Sequence, residues 1–324
     1  MTKVRWGVMG TANVADWGTI PGMLQAENCE LTAIAGRSLE KAERYKAKFG
    51  FKKAYGSYDE LLADEEVEAV YVPLPNDLHK PWVIKALEAG KNVLCEKPIA
   101  MNSEETRAMF KAAEDNNVLL MEAFAYLHSP YVQSLKDDIA SGIIGDVEFI
   151  ETAFYTQCYK DDFRLRKGPG GGAMYDLGCY CSSLILSLVD SDVVSVKADA
   201  EFSENEVDHL TAGILKFANG VRAAFNVGMI LGTDSDKRYD RLYIHGTKGS
   251  IISSVRYNQE GDISYDIVTD EGKITRDLTA RNNYALESEQ FGRCIAEGEK
   301  PHVTKEFSIK NSEFIDRVLE EIGY

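Results

Sequence analysis

Residues 69–98 contain, in one short stretch, the patterns of a strand, a turn, an amphipathic helix and a second strand. This order is typical of a βαβ unit, in which the two strands lie parallel in one sheet. The second strand ends in Glu96-Lys97-Pro98, so Lys97 is expected at the carboxyl edge of that sheet. Ligands of open α/β sheets bind at this edge. A lysine there can hold or move a proton beside a bound substrate.

The first 122 residues repeat this alternation of strand and helix patterns. Ser38–Phe49 has the pattern of a helix, with Ser38 as its cap and Gly50 as its stop. Thr106–Asn117 has a similar pattern, with Ser103 as the preceding cap. We therefore expect residues 1–122 to form a dinucleotide-binding Rossmann domain, a parallel sheet wrapped by helices on both faces. The apolar runs are Val4–Met9, Leu31–Ala35, Ala69–Val72, Val93–Cys95 and Val118–Met121.

From Val147 onward, strand patterns follow one another through short turns. Ala218-Asn219-Gly220 and Gly246-Thr247-Lys248-Gly249 are hairpin signals, and strands joined so tightly must be antiparallel. Residues 123–324 are therefore expected to form a second α/β domain with a large, mostly antiparallel open sheet. The strand patterns are Val147–Phe154, Val193–Phe202, Thr211–Phe217, Val221–Val227, Leu242–His245 and Ile263–Val268, and the helix patterns are Leu127–Ser141, Leu177–Leu188, Tyr284–Glu297 and Ser308–Ile322.

The formal net charge of −16 argues against partners that need a positive surface. It repels phosphate backbones and anionic lipids, so neither nucleic acid nor a membrane is expected as a partner. The N-terminal residues run straight into a strand pattern instead of a signal peptide. Six scattered cysteines include no Cys-x-x-Cys pair, so we expect reduced thiols, a cytoplasmic location and no metal site.

The turn after the first strand predicts a bound dinucleotide. In Gly7-Val-Met-Gly10-Thr-Ala12-Asn-Val-Ala15, Gly10 and Ala15 fit the outer positions of the glycine fingerprint, and Ala12 stands in the middle one. A glycine in any strand-to-helix turn is the alternative explanation. The position of this turn, first in an alternating domain, favours cofactor binding by its residues, which are Gly10, Thr11, Ala12, Asn13 and Val14.

The end of the second strand predicts which dinucleotide is bound. Enzymes that select NAD usually carry a carboxylate here, whereas an arginine suits the 2′-phosphate of NADP. The chain has Arg37 followed by Ser38 and no acidic residue. NADP(H) is therefore the preferred cofactor, with NAD(H) possible. Alternatively, Arg37 and Ser38 are only a cation and a cap at the start of a helix.

Two further groups of candidate cofactor-binding residues lie at the ends of the two strands of the βαβ unit. Pro75 and Asn76 follow the fourth strand, and His79 lies in the first turn of the next helix. Helix capping by Asn76 and a structural role for His79 are the alternatives. Glu96 and Lys97 are the other candidates, although a lysine-proline pair can also close a solvated turn. Pro98 restricts Lys97 to extended backbone and permits a cis bond.

A glycine-rich loop introduces the second constellation. Gly168-Pro-Gly170-Gly-Gly172 precedes a helix pattern that carries Asp176 and Tyr180. Residues four apart share one face of a helix, so the two side chains can reach the same pocket. An N-terminal helix carboxylate and a buried tyrosine are the structural alternatives. The lesser candidates for contact with the substrate are Glu122, Tyr126, His128 and Arg164.

Together these motifs resemble the Gfo/Idh/MocA oxidoreductase family over the whole chain. The resemblance implies an N-terminal Rossmann domain and a C-terminal substrate-binding domain whose open sheet often forms the oligomer interface. A homodimer or homotetramer is therefore expected. The resemblance also implies that Lys97 and Asp176 line the substrate site, with His79 and Asn76 near the cofactor.

Tyr180 indicates which branch of the family this chain resembles. Many members have histidine where this chain has Tyr180 and glycine where it has Ala12. These replacements, with Arg37 and Met121-Glu122-Ala123-Phe124, are similar to the branch that contains dimeric dihydrodiol dehydrogenase and NADP-dependent D-xylose 1-dehydrogenase. In that branch the lysine and the tyrosine are the acid/base pair.

The expected function is reversible hydride transfer between a nicotinamide and a carbinol or carbonyl carbon of a sugar, polyol or cyclic diol. Lys97, Tyr180 and Asp176 are the expected catalytic residues, and the sequence leaves open whether Lys97 or Tyr180 carries the proton. One alternative is a glycoside-processing enzyme of the same family that retains its cofactor. A non-enzymatic cofactor sensor is another alternative, disfavoured by the intact set of three residues.

Overall fold

The chain forms two compact units in the computed structural model, which describes residues 2–157, 159, 162–232 and 237–324. The first unit comprises Met1–His128 and Arg281–Ile309, and the second comprises Ser129–Ala280 and Lys310–Tyr324. The sequence places a single boundary at residue 122, whereas the chain returns to the first unit at Arg281. No Pro- or Gly-rich linker marks this return, which is why the sequence patterns did not locate it.

The first unit contains a six-stranded sheet in the order β3-β2-β1-β4-β5-β6, in which all neighbouring strands are parallel. The strand order reverses between β1 and β4, which is the switch point where dinucleotides bind in doubly wound folds. All four residues of β4 are buried, as expected for a strand covered on both faces. The strands are β1 (Val4–Met9), β2 (Cys29–Ala35), β3 (Lys53–Tyr55), β4 (Ala69–Val72), β5 (Asn92–Glu96) and β6 (Leu120–Ala123).

Five helices connect these strands, and their ends follow ordinary capping rules. The helix predicted from Ser38 is confirmed, since the Ser38 side chain accepts a hydrogen bond from Lys41 N and Gly50 ends the helix at φ 82°. The predicted Ser103 cap is wrong, because Ser103 is already helical and Asn102 caps instead. A π-helical segment, Ala15–Thr19, precedes the first helix. The helices are α1 (Ile20–Gln25), α2 (Leu39–Phe49), α3 (Tyr58–Leu62), α4 (Asn76–Glu88) and α5 (Ser103–Asp115).

The second unit contains an eight-stranded sheet in the order β14-β13-β12-β11-β7-β10-β9-β8. Its neighbours are antiparallel except for the parallel pair β7 and β10, so the predicted mostly antiparallel sheet is confirmed. Both predicted hairpins, β9–β10 and β11–β12, are present. The strands are β7 (Val147–Gln157), β8 (Val193–Phe202), β9 (Asp208–Phe217), β10 (Arg222–Leu231), β11 (Arg238–Gly246), β12 (Gly249–Ser253), β13 (Gly261–Thr269) and β14 (Gly272–Ala280).

Helices pack against the buried face of this sheet. In the second unit they are α6 (Pro130–Ala140) and α7 (Cys179–Leu188), and the π-helical segment Met174–Gly178 leads into α7. Two helices follow the sheet in the chain, α8 (Asn283–Glu297) in the first unit and α9 (Lys305–Ile322), which passes into the second unit at Lys310.

Helix α8 lies directly against α1. A Cβ on Gly22 would come within 2.5 Å of the Tyr284 Cβ, so this close approach requires glycine.

Five cysteines, Cys29, Cys95, Cys179, Cys181 and Cys294, are free and buried, and Cys158 lies outside the described residues. In the described ranges, every helix is too short or too polar to cross a membrane.

Candidate functional site

The turn after β1 has the geometry of a pyrophosphate-binding turn. Gly10 adopts φ 126°, and a Cβ there would also lie 3.2 Å from the Leu74 side chain. The Gly10 N–H donates to the Ala35 carbonyl at 2.9 Å, which holds the turn against β2. Ala15 is fully buried, and a small residue at this point lets the helix pack closely on the strand. No side chain caps the helical segment at Val14, so no capping side chain competes with an anionic ligand at this helix start.

Helix α2 adds cations beside this turn. Arg37 and Ser38 are exposed. Ser38 accepts from Lys41 N at 3.4 Å, so it does act as a helix cap. Burial raises the pKa of Tyr58, and the nearby Arg37 charge opposes that shift. Lys41 Nζ donates to the Thr11 carbonyl at 2.9 Å. The sequence argument missed Lys41, although its position one helical turn after the Ser38 cap could have identified it.

His79 connects two loops from a fully buried position. Its Nδ1 lies 3.0 Å from the Pro98 carbonyl oxygen, and its Nε2 lies 2.8 Å from that of Leu74. Burial lowers the pKa of His79, and the two carbonyls act in the opposite direction. Pro75 occupies the cap position of α4 without a side-chain hydrogen bond, so Asn76 is the first helical residue and not the cap. His79 therefore holds together the segments that follow β4 and β5.

Lys97 follows the last residue of β5 at the carboxyl edge of the sheet, and the Lys97–Pro98 bond is cis. Glu96 is buried, and its Oε2 accepts from the backbone N–H of Lys97 at 3.2 Å. Tyr71 donates its hydroxyl to Glu96 Oε1 at 2.5 Å, and Thr19 donates to the Tyr71 hydroxyl at 2.8 Å. This buried chain of hydrogen bonds fixes the strand end that presents Lys97.

Two further buried carboxyl groups interact with this strand end. Glu122 lies opposite Cys95 on β6, and its Oε1 accepts from Ile99 N at 3.0 Å. Burial raises the pKa of Glu122 to about 7, while the Lys97 charge acts to lower it. Glu287 on α8 is fully buried, and burial followed by the Glu96 charge raises its pKa well above the ordinary value. Glu122 therefore supports the Lys97 loop from inside the sheet.

Tyr126 and His128 lie on a short 3₁₀ turn, Ala125–His128. Tyr126 is buried, with its ring edge-on to Phe124. The His128 ring stacks on His302 at 5.1 Å between centroids. Both ring nitrogens of His128 are buried without a hydrogen-bond partner in the described part of the chain, and burial lowers its pKa to about 3. The neutral His128 ring thus packs against His302. Contact of Tyr126 and His128 with the substrate remains a prediction.

In the second unit, two residues of the glycine-rich loop have a positive φ, a backbone conformation that favours glycine. Gly170 and Gly172 adopt φ 76° and 100°. A Cβ on Gly171 would come within 2.5 Å of the Arg164 and Arg166 carbonyl oxygens. The Gly172 N–H donates to the Arg164 carbonyl at 2.8 Å. The loop is thus folded tightly onto the segment that carries Arg164.

Asp176 is held by two side chains of that segment. Arg164 Nε lies 2.9 Å from Asp176 Oδ1, and the Tyr159 hydroxyl donates to Oδ2 at 3.1 Å. Burial disfavours the charged form of Arg164, but the negative charge of Asp176 outweighs this effect and raises the pKa of the guanidinium. Asp176 is almost completely buried. The structure therefore brings Arg164 and Asp176 together as a charged, hydrogen-bonded group.

Tyr180 lies in the first turn of α7 and is partly exposed. Its ring contacts two aromatic rings, with centroid distances of 5.5 Å to Phe154 and 4.9 Å to Tyr257. Asp176 belongs to the π-helical segment that leads into α7, so one continuous helical stretch carries both residues. Lys97 belongs to the first unit, and Asp176 and Tyr180 belong to the second.

Comparisons with known proteins agree with this arrangement. A family model described as "Oxidoreductase family, NAD-binding Rossmann fold" matches residues 4–124, and a model described as "GFO/IDH/MocA C-terminal domain" matches residues 132–252. The chain belongs to the Gfo/Idh/MocA oxidoreductase family. The expected family and fold class are thereby confirmed, as is the expected oxidoreductase function.

Individual members of the Gfo/Idh/MocA family match along nearly the whole chain. A trans-1,2-dihydrobenzene-1,2-diol dehydrogenase of Xenopus laevis is 32% identical, with 98% of each chain covered. A D-xylose 1-dehydrogenase (NADP(+)) of Haloferax volcanii is 31% identical, with 97% of this chain and 96% of that protein covered. The solved structure of a 3-ketoreductase from Actinomadura kijaniata, in complex with NADP and TDP-benzene, superposes with a TM-score of 0.92 at 28% identity, covering 99% and 98% of the two chains.

Residues of the first unit fit the nicotinamide dinucleotide of Gfo/Idh/MocA enzymes. The Gly10 turn leaves the space that a Cβ would fill, and no side chain caps the adjacent helical segment. Thr11, Ala12, Asn13 and Val14 form this turn, and Arg37, Ser38 and Lys41 stand beside it. When bound, the cofactor supplies or accepts the hydride.

Proposed function

We propose that this Gfo/Idh/MocA protein catalyses reversible, NADP(H)-dependent hydride transfer at a carbinol or carbonyl carbon of a sugar, polyol or cyclic diol. The observation that carries the proposal is the position of Lys97. Lys97 follows β5 at the carboxyl edge of the six-stranded sheet. The carboxyl groups of Glu96 and Glu122 are buried next to this strand end. The activities of the two dehydrogenases that this chain resembles, on D-xylose and on a dihydrodiol, support the substrate class.

NADP(H) is the proposed cofactor because the end of β2 presents cations. Arg37 follows the strand, and Lys41 reaches back to the glycine turn. An arginine in this position suits a 2′-phosphate. The names of one relative and one solved structure also specify NADP.

In the proposed chemistry, Tyr180 exchanges a proton with the reacting hydroxyl, and Lys97 stabilises the developing oxyanion. The reverse assignment of these two roles remains open. Asp176 binds and orients a substrate hydroxyl, since its carboxylate is already fixed by Arg164 and Tyr159.

A substrate panel tests the activity directly. Aldoses, polyols and vicinal diols are assayed with NADP⁺ and with NAD⁺ by following the absorbance of the reduced nicotinamide. We expect turnover with NADP⁺ and a loss of about 10²-fold or more in kcat for Lys97→Ala, with Lys85→Ala, an exposed lysine on α4, as the control. Full turnover by a Lys97→Ala enzyme that still binds cofactor contradicts the proposal. Release of an aglycone without net change in NADPH supports the glycoside-processing alternative instead.

The cofactor preference has its own test. Arg37→Ala is expected to weaken NADP binding by about tenfold or more while leaving NAD binding unchanged, because a charge-assisted contact to the 2′-phosphate is lost. An unchanged ratio of the two affinities refutes this assignment.

We also propose that the protein is a homo-oligomer that works in the cytoplasm. Exposed apolar side chains on the second sheet, among them Ile214 and Ile252, support self-association through that sheet. The five buried free cysteines support a reducing compartment.

A further inference from the structure

Arg238 lies behind the aromatic residues that contact Tyr180, and no motif in the sequence points to it. Arg238 and Asp240 are on the face of β11 that also carries Leu242, and Asp240 pairs with Phe154 on β7. This is the buried face of the sheet, against which α7 packs. The guanidinium carbon of Arg238 lies 4.6 Å from the centroid of the Phe154 ring.

The guanidinium is fixed in place by several charge-assisted hydrogen bonds. Its Nε and Nη2 donate to the two oxygens of Asp240, each at 2.7 Å. Nη2 also donates to the Tyr257 carbonyl at 2.9 Å, and Tyr257 N donates to Asp240 Oδ1 at 3.1 Å. A planar guanidinium with bidentate bonding has little freedom to turn away. The cation therefore has a set position relative to the ring cluster.

This cluster includes Tyr180. The rings of Phe154, Tyr180 and Tyr257 lie within 5.5 Å of one another, measured between centroids. Burial disfavours the charged form of Arg238. The pKa of Arg238 is nevertheless raised above its ordinary value, first by Asp240 and then by Tyr180 and Tyr257. This coupling is reciprocal, because a tyrosinate that stabilises the guanidinium is stabilised by it to the same extent.

We propose that Arg238 is a positioning residue for Tyr180, a fixed cation whose field favours the ionised form of the phenol during proton exchange. The inference rests on the proposed role of Tyr180 in that exchange. Because Arg238 is held by Asp240, the proposed effect of Arg238 on the reaction passes through Tyr180. It makes Tyr180 a better proton donor to an oxyanion and a weaker base in the opposite direction.

Within the described residues, other polar groups also lie around this ring cluster. Asp240 is the counter-charge of the cation, and Tyr257 contributes a second phenol. Cys181 accepts from the Tyr257 hydroxyl at 3.9 Å, and burial raises the pKa of this thiol to about 12, so it stays neutral. Asp176 precedes Tyr180 in the same helical stretch and is paired with Arg164. The positive charge of Arg238 couples electrostatically to the Tyr180 phenol.

The titration of the Tyr180 phenol tests this role without any substrate. The carbon signals of ring-labelled tyrosine are followed by NMR against pH, and Tyr180→Phe assigns the signal. In Arg238→Gln, which keeps hydrogen-bond donors but loses the charge, the midpoint is expected to rise by about one pH unit or more. Arg238→Lys, which keeps the charge and loses the bidentate geometry, is expected to recover part of that shift. Arg241→Gln, on the opposite face of the same strand, is expected to leave it unchanged.

A merely structural role predicts the opposite order, with Arg238→Lys as disturbed as Arg238→Gln or more so. An unchanged Tyr180 midpoint in folded Arg238→Gln overturns the proposal. Should that variant not fold, Asp240→Asn provides the test, because removing the counter-charge is expected to lower the midpoint, and a midpoint that stays or rises refutes the inference. The pH profile of kcat is expected to shift with the phenol, while KM and NADP affinity stay constant. Since the NMR titration needs no turnover, failure of the proposed reaction is distinguishable from failure of this inference.

Discussion

Glu122 is a titratable residue that contacts the loop after Lys97. Its carboxyl is almost completely buried, accepts from Ile99 N, and has a pKa raised to about 7, chiefly by burial. A carboxyl whose folded pKa is raised favours folding while it is protonated. This contribution is fully present below the ordinary carboxyl pKa, and it is lost as the pH rises from about 4.5 through about 7.

Glu122→Gln should remove this pH dependence. The amide oxygen still accepts from Ile99 N, but the side chain no longer ionises. We expect the variant to gain about 1–3 kcal/mol in the free energy of unfolding relative to the native protein between pH 5 and pH 8. Urea unfolding at the two pH values measures this gain, with Glu104→Gln, an exposed carboxylate on α5, as the control. Identical pH slopes for the native protein and the variant would contradict the buried titration.

Sequence motifs direct attention to Lys97, Asp176 and Tyr180 because each stands at the end of a strand or in a helix after a glycine loop. Arg238 and Glu287 carry no such signal. Arg238 is one basic residue in an ordinary strand pattern, and its effect depends on Asp240 and on rings from β7 and α7. In the sequence, Glu287 looks like any glutamate of a helix, and only the packing of α8 shows that it is buried near Glu96. Contacts of this kind arise from packing between elements distant in the chain, which periodicity does not encode.

At the scale of elements, the start of the helical stretch that carries Asp176 and Tyr180 depends on one buried carboxylate. Asp208, the first residue of β9, accepts from Met174 N at 2.8 Å and from the Thr211 hydroxyl at 2.5 Å. Gly172, with φ 100°, leaves no room for a Cβ beside Asp208 Oδ1. The glycine loop is therefore tied to the sheet at the point where the helical segment begins.

Gly172→Ala should release that tie. The left-handed backbone and the contact with Asp208 both oppose a Cβ, and we expect a loss of about 1–3 kcal/mol in stability together with a fall in kcat. Gly168→Ala is the matched control from the same loop, because a Cβ there has nothing within 4 Å. Urea unfolding and steady-state kinetics measure both effects. Equal behaviour of the two variants would refute the anchoring role of Gly172.

Most elements are predictable because apolar residues recur with the right period. The helix after Ser38 and the hairpin at Asn219 follow from capping and turn chemistry. Strand β14 escaped prediction, since eight of its nine residues are exposed or half-buried and Arg276 interrupts its apolar alternation. The predicted cap of α5 lies one residue too late, because asparagine and serine both suit an N-terminal position and sequence alone does not say which residue has extended backbone.

At the scale of the whole molecule, the outer face of the second sheet carries exposed apolar side chains. Ile214 is 61% exposed and Ile252 is 46% exposed. Both lie in one row across the sheet, connected by pairing through Ala224, Glu151 and Tyr243. Copies of a chain with net charge −16 repel each other, so association must use a face where apolar contact outweighs this repulsion.

Ile214→Lys should therefore weaken self-association. We expect the native protein to sediment as a dimer or larger oligomer, more strongly associated at higher ionic strength because salt screens the repulsion between acidic copies. The variant replaces one of the two exposed isoleucines of this row by an ammonium group and is expected to shift toward monomer at micromolar concentration. Leu24→Lys is the control, since Leu24 is an equally exposed apolar residue on α1 of the other unit. Sedimentation velocity distinguishes the outcomes: a monomeric native protein removes the proposal, and an Ile214→Lys oligomer as stable as the Leu24→Lys oligomer shows that association uses another surface.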